Sequence, residues 1–378
     1  MIVQEKDFSF GDKDDAFQLR CGKSLSRVNV RYETYGTLND KKDNAILVCH
    51  ALTGSAHAAG RHSEDDKKPG WWDEMIGPGK AFDTDKHFIV CSNIISSCYG
   101  TTGPRSEDPD TSELYNKDFP MTTIYDMVQV QERLMRHLEI KKWLAVAGGS
   151  LGGMQAMQWS VTFPDKVHSC IPIATCAKSS PLSIGFNWVG RQSILTDENF
   201  CAGKYAAGEP PEKGLSIARM IAHMTYLSDA SMQNKFGRRL QEMDTINYEF
   251  SRNFQVESYL NYQGKQFVNR FDANSYLYIT RAMDYFNLAD EAGGDGSLAK
   301  ALSKSQCPFC IVSFSSDWLF PPYQSVEIVE ALAENQREAT YCNIQSDYGH
   351  DAFLLEFETL GAIVRNFLTQ QEETFHHA

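Results

Sequence analysis

The run Gly148-Gly149-Ser150-Leu151-Gly152-Gly153 contains Gly-x-Ser-x-Gly, a spacing that can make a serine hydroxyl into a nucleophile. The reason is steric. In so sharp a strand-to-helix turn, side chains two residues either side of the serine would collide, so glycine is needed at both places. The strained serine then projects its hydroxyl at a helix N-terminus, where developing negative charge is favoured. The same run is also compatible with a glycine-rich phosphate loop or a plain tight turn, although no Gly-Lys-Ser/Thr or Gly-x-Gly-x-x-Gly accompanies it.

A serine hydroxyl needs a base to take its proton, and the base needs an acid to orient it. With this elbow the chain order is Ser, then Asp or Glu, then His. Of the ten histidines only His350, His376 and His377 follow both Ser150 and the late strand-like runs. The last two stand in a terminal segment expected to fray. His350, in Ser346-Asp347-Tyr348-Gly349-His350-Asp351, is therefore the expected base; the alternative is a surface histidine. Asp317, in Ser315-Ser316-Asp317-Trp318, ends a strand and is the expected acid; the alternative is a cap before Pro321. An acyl-transfer oxyanion needs two preorganised N–H donors. Leu151 should supply one and Leu52, in His50-Ala51-Leu52-Thr53-Gly54, the other. His50 precedes the serine and adjoins a buried strand, so a structural role is expected for it. Cys307-Pro308-Phe309-Cys310 resembles a redox motif, but it precedes a strand instead of opening a helix. Its sulfurs are read as packing groups, and no metal site is expected.

The elements that must hold these groups follow from periodicity. Val28, Val30, Tyr32 and Thr34 alternate with Asn29, Arg31 and Glu33, the pattern of a half-buried strand. Short continuous apolar runs at 45–49, 88–91, 143–147 and 170–174 read as strands covered on both faces; Pro172 either weakens the last of these readings or puts that strand near an edge. A 3.6-residue stripe from Ile124 through Leu138 reads as a helix, with Thr123 and Asp126 placed to cap it. A second helix opens at Ser150 and runs towards Pro164. From about 180 to 300 the pattern is helical and irregular, with a surface loop at 291–297. Strands return at 309–314 and 340–344, with helices after Pro322 and after His350. This is an α/β pattern with a mostly parallel sheet and helices on both faces. The division reads as a core of 1–180 and 300–378 interrupted by a helical lid at 181–299.

Composition narrows the partners. The 378 residues include 36 basic and 49 acidic ones, for a net charge of −13. An acidic surface disfavours nucleic acid. With 42% hydrophobic and 22% charged residues, general disorder is excluded. No apolar run approaches the ~18 residues that span a bilayer, and the N-terminus lacks a basic and apolar leader. A cytoplasmic protein with reduced thiols at its ten cysteines is expected.

At this point the chain closely resembles the homoserine O-acyltransferases of the α/β-hydrolase superfamily, the acetyltransferase group of methionine biosynthesis. The resemblance rests on His50-Ala51-Leu52-Thr53-Gly54, Pro69-Gly70-Trp71-Trp72, Gly77-Pro78-Gly79-Lys80, the elbow with Met154-Gln155, Arg270-Phe271-Asp272-Ala273-Asn274-Ser275-Tyr276 and Gly349-His350-Asp351. It implies an α/β-hydrolase fold with a helical lid, and ping-pong transfer of an acetyl group from acetyl-CoA to the hydroxyl of L-homoserine. No cofactor is implied beyond the acyl-CoA co-substrate. It further implies Arg219 for the acceptor carboxylate, Tyr226 beside it, Asp351 for the ammonium, and a homodimer through the helical insertion. On spacing alone Arg219 would be a surface helix arginine.

One segment departs from the family pattern Asn-x-x-Gly-Gly-Cys-x-Gly-Ser-x-Gly-Pro. Here two glycines are Ser96 and Ser97, and a serine is Thr101. The departures bear on the choice of donor and acceptor. Succinyl-CoA as donor, L-serine as acceptor, and a serine esterase of the same fold are the alternative functions. A scaffold without catalysis is a third class, against which the Ser150, Asp317 and His350 set argues.

Overall fold

The computed structural model describes residues 1–206, 208–242, 244–293 and 296–375. His376 and His377, and Gly294 and Asp295 of the expected 291–297 loop, lie outside the described residues. Eight strands form the central sheet: β1 Lys6–Phe10, β2 Val28–Tyr35, β3 Ala45–Cys49, β4 Phe88–Ser92, β5 Ala145–Gly149, β6 Cys170–Ile173, β7 Phe309–Phe314 and β8 Ala339–Ile344. Their spatial order is β1-β2-β4-β3-β5-β6-β7-β8. β1 pairs antiparallel with β2, and β2 with β4; the other neighbours are parallel.

The continuous apolar runs are needed because both sheet faces are covered. In β3, Ala45, Leu47 and Cys49 join one apolar cluster while Ile46 and Val48 join the other. The first cluster is closed by α1 Ile124–His137, α2 Leu151–Thr162 and α9 Pro322–Glu334; α10 Phe357–Phe375 closes the second. The expected cap on α1 is present. Asp126 N–H donates to Thr123 Oγ1 while the Asp126 carboxylate accepts from Thr123 N–H at 2.7 Å, an arrangement worth about 1 kcal/mol.

Three expectations need correction. β5 begins at Ala145, not Trp143; Trp143 only bridges Val167 and is spent on packing against Trp159. Pro172 lies in an interior strand, not near an edge. Its place in the ladder faces β7, where Cys170 and Ala174 donate to Pro308 O and Val312 O. Register with β7 is kept at Cys170 and Ile173 and skipped between them, so one missing N–H is tolerated between intact bonds. The alternation in β2 breaks at Glu33, which is 1% exposed. Its carboxylate bonds Tyr35 Oη at 2.9 Å, His57 Nδ1 at 3.0 Å and His62 Nε2 at 2.7 Å. The loop carrying those histidines covers the face that the pattern assigned to solvent.

Between β6 and β7 the chain forms α3 Pro181–Leu195, α4 Glu212–Tyr226, α5 Asp229–Lys235, α6 Gln255–Val268 and α7 Ala273–Asp284, returning through α8 Leu298–Leu302. α4 packs between α3 and α6. A buried ion pair, Arg191 to Asp284 at 2.5 Å, ties α3 to α7.

Candidate active site

Ser150 stands where β5 turns into α2, with φ 59° and ψ −123°. A serine at positive φ is strained, and neighbouring bonds hold it there. Its N–H donates to Ile173 O at 2.9 Å and its carbonyl accepts from Thr175 Oγ1 at 2.8 Å. The two glycines are required as the spacing indicated, with a further cause. A Cβ on Gly152 would lie 2.1 Å from Cys49 O, and one on Gly148 2.6 Å from both Cys49 O and Gly152 C. The turn is pressed against the end of β3 as well as against itself.

Asp317 follows the end of β7 and His350 the end of β8. Ser150 Oγ lies 3.0 Å from His350 Nε2, and His350 Nδ1 lies 2.8 Å from Asp317 Oδ2. All three are buried. Asp317 also fulfils the alternative role of a turn cap, since its Oδ1 accepts from Leu319 N–H at 3.0 Å and Phe320 N–H at 2.9 Å. Those bonds fix the carboxylate so that Oδ2 faces the imidazole. The ring is held between Phe320 and Phe353, and Gly349 N–H donates to Ser316 Oγ at 3.0 Å, joining the two loops. This geometry can pass a proton from the serine to the imidazole and stabilise the resulting cation.

Leu52 lines the cavity in front of Ser150, and Leu151 is the residue after it. Among the described residues neither backbone N–H donates to another backbone group outside regular elements, so both are free for an oxyanion. His50 holds the Leu52 loop in place. Its Nδ1 lies 2.8 Å from Ala51 O, and its Nε2 accepts from Ile94 N–H at 3.2 Å. Burial lowers this imidazole to about 4, so it stays neutral and structural.

The cavity, of about 180 Å³, brings Arg219, Tyr226 and Asp351 to Ser150 and His350. Arg219 is only 9% exposed. Its guanidinium lies over Phe267 at 4.7 Å and Tyr226 at 5.5 Å, and its Nη1 reaches Thr53 Oγ1 at 3.4 Å. Burial pushes the Asp351 carboxyl up, with His350 and Arg219 opposing. Burial also raises the Tyr226 phenol, again against Arg219. A guanidinium and a carboxylate facing one small space suit a zwitterionic ligand. A second, narrower cavity shares Leu52, Ser150 and Tyr226 and runs between Phe186, Tyr276 and Leu319.

Sequence reasoning missed His223 and quoted Thr53 only within a motif, without a role; both also line the main cavity. His223 stands four residues after Arg219 and three before Tyr226, a helical spacing that was available as a signal. Arg270 was quoted only within a motif; its Nη1 donates to Thr53 O at 3.2 Å and Tyr99 Oη at 3.0 Å, bracing the loop.

The departures at 96–101 lie behind the site. Ser96 has φ 76°, a left-handed conformation natural to glycine, and its Oγ bonds Thr122 Oγ1 at 2.6 Å. Thr101 Oγ1 accepts from Arg31 N–H at 2.9 Å. Neither these residues nor Ser97 line either cavity. Cys307 and Cys310 are buried free thiols that burial raises to about 11 and about 12, which leaves them unreactive packing groups. Among the described residues Glu33, His57 and His62 alone lie close enough to share a metal ion, and none of them lines the cavity.

A doubly covered sheet in this strand order, with a serine elbow after β5, an acid after β7 and a histidine after β8, defines an alpha/beta hydrolase. The family model of the alpha/beta hydrolase fold matches residues 44–357. The homoserine O-acetyltransferase of Deferribacter desulfuricans is 53% identical over 369 residues, covering 98% of this chain and 96% of that relative. The crystal structure of homoserine O-acetyltransferase from Bacillus anthracis superposes with a TM-score of 0.90 at 30% identity, covering 97% of this chain and 98% of that one. Esterase E22 superposes with a TM-score of 0.88 at 30% identity, covering 97% of this chain and 100% of its own. The chain belongs to the homoserine O-acetyltransferase family.

Proposed function

We propose that this chain transfers an acetyl group from acetyl-CoA to the side-chain hydroxyl of L-homoserine, a step of methionine biosynthesis, by a ping-pong mechanism without a further cofactor. Ser150 Oγ attacks the thioester carbonyl as its proton passes to His350 Nε2. The oxyanion is held by the N–H groups of Leu52 and Leu151. Its collapse expels the coenzyme thiolate, which takes the proton from His350. The homoserine hydroxyl then gives its proton to His350 and attacks the acyl-serine, and Ser150 leaves with that proton. Arg219 grips the acceptor carboxylate, Asp351 takes the ammonium, and Tyr226 packs beside them. Asp317 orients the imidazole throughout.

The observation that carries this reading is the placing of Arg219 and Asp351, opposite charges, in the cavity that contains Ser150 and His350. Water needs neither. The likeness to esterase E22 favours a second reading, in which water takes the acyl group. Thiol release from acetyl-CoA, with and without homoserine, separates the two. Acceleration by homoserine is expected; release indifferent to homoserine would establish hydrolysis. Succinyl-CoA and L-serine, run alongside, test the donor and the acceptor. Intact-mass measurement after an acetyl-CoA pulse should find one acetyl group on the protein and none on Ser150→Ala.

Among the described residues no helix is long and apolar enough to cross a membrane. We place the enzyme in the cytoplasm, acting on small molecules. The insertion exposes Leu182, Trp188, Val189, Ile217, Met224 and Tyr262, which supports a homodimer formed through it; sedimentation tests that assembly.

A further inference from the structure

α4 carries Arg219, His223 and Tyr226 at helical spacing, and all three line the cavity that holds Ser150 and Asp351. The His223 imidazole is 7% exposed. Its Nδ1 lies 3.2 Å from Tyr259 Oη, and its Nε2 is buried with no hydrogen-bond partner. An orphan ring nitrogen is destabilising unless something that enters the cavity satisfies it.

A phenol is a better donor than acceptor, and a neutral imidazole nitrogen is a good acceptor. Burial pushes the Tyr259 phenol up, so it keeps its proton. Tyr259 Oη–H therefore donates to Nδ1, and the ring proton sits on Nε2. Burial, reinforced by Arg219, Lys235 and Arg270, holds the imidazole down to about 3, so the ring stays neutral. A neutral N–H donor one helical turn from a guanidinium suits the second oxygen of an anion that the guanidinium already attracts.

We propose that His223 is a specificity-determining residue for the acceptor: its Nε2–H donates to the carboxylate received by Arg219, so that an amino acid is preferred over a plain alcohol or water. This rests on the transfer reading above. Tyr259, which fixes the tautomer, is a positioning residue.

The test compares homoserine with 3-aminopropan-1-ol, which keeps the hydroxyl and the amine and lacks the carboxylate. His223→Phe should raise KM for homoserine about tenfold or more. First-turnover thiol release, which involves no acceptor, should stay within about twofold, as should kcat/KM for the aminoalcohol. His223→Gln, which can still donate, should recover part of the loss, and Tyr259→Phe should raise KM by a smaller factor. An unchanged homoserine KM in His223→Phe overturns the proposal, as does an equal loss for both acceptors, which would mark a packing role. If His223→Phe does not fold, the other two variants decide, and unchanged KM in both overturns it. Failure of the transfer reading is distinguishable, because it appears in the unaltered enzyme as thiol release indifferent to homoserine; the proposal then falls with it.

Discussion

Replacing Asp317 by asparagine changes one atom and should nearly abolish activity while leaving the fold intact. Asp317 Oδ1 accepts from Leu319 and Phe320 N–H groups, and Oδ2 faces His350 Nδ1. An asparagine must keep its carbonyl oxygen towards the two backbone donors, because an NH₂ group there would meet N–H against N–H. Its NH₂ is then forced towards Nδ1, which has to become an acceptor. The ring proton moves to Nε2, the atom that must take the proton of Ser150. In a Ser-His-Asp protease the equivalent change costs about 10⁴ in kcat, roughly 5.5 kcal/mol at the transition state. A loss of that order is expected here in first-turnover thiol release. The exposed cysteines Cys21 and Cys201 also react with thiol reagents and give an acetyl-CoA-independent step to subtract. Thermal melting should be nearly unchanged, since both backbone donors keep their acceptor. Asp317→Ala should also melt lower, by about 1–3 kcal/mol, because it orphans them. An Asp317→Asn enzyme that kept a tenth of its activity would refute the tautomer argument.

Gly152→Ala should destabilise the protein by about 3 kcal/mol or more, read from denaturant melts, because its methyl would sit 2.1 Å from Cys49 O. Asp351→Asn should raise KM for homoserine about tenfold or more, with acyl-enzyme formation from acetyl-CoA little affected. Glu33→Gln should cost about 3 kcal/mol of stability by leaving two histidines without their carboxylate. Burial alone would raise the Glu33 carboxyl, but His57 and His62 draw it below its usual value of 4.5; burial alone would lower His57, but Glu33 lifts it above 6.5. The carboxylate contribution is complete above the first value and lost as pH falls through the folded one. That of the imidazolium is complete below the second and lost as pH rises through the folded one. The gap between wild type and Glu33→Gln should therefore be widest between about pH 4.5 and 6.5; a gap that keeps growing above neutrality would contradict this.

What could be read from the sequence follows from how local each signal is. The elbow was legible because its constraint acts within five consecutive residues. Asp317 and His350 were legible because chain order and strand ends place them. Pro172 misled, since a proline reports only that one N–H is missing, not whether neighbouring bonds suffice to hold an interior strand. Glu33 misled because alternation describes one strand, while its burial is imposed by a loop beyond β3. Arg219 carries no mark of its depth within α4; only the family resemblance pointed to it. His223 had such a mark, its spacing from Arg219 and Tyr226, but three positions on one helix face acquire meaning only once the helix is known to roof the nucleophile. The departures Ser96 and Thr101 resemble substrate determinants on paper, and the fold turns their hydroxyls towards Thr122 and β2.

The proton-relay groups hang from the ends of β5, β7 and β8, whereas Arg219, His223 and Tyr226 hang from α4. One wall of the cavity can thus vary apart from the strand ends, whereas Asp351, next in the chain to His350, is tied to the same loop as the relay.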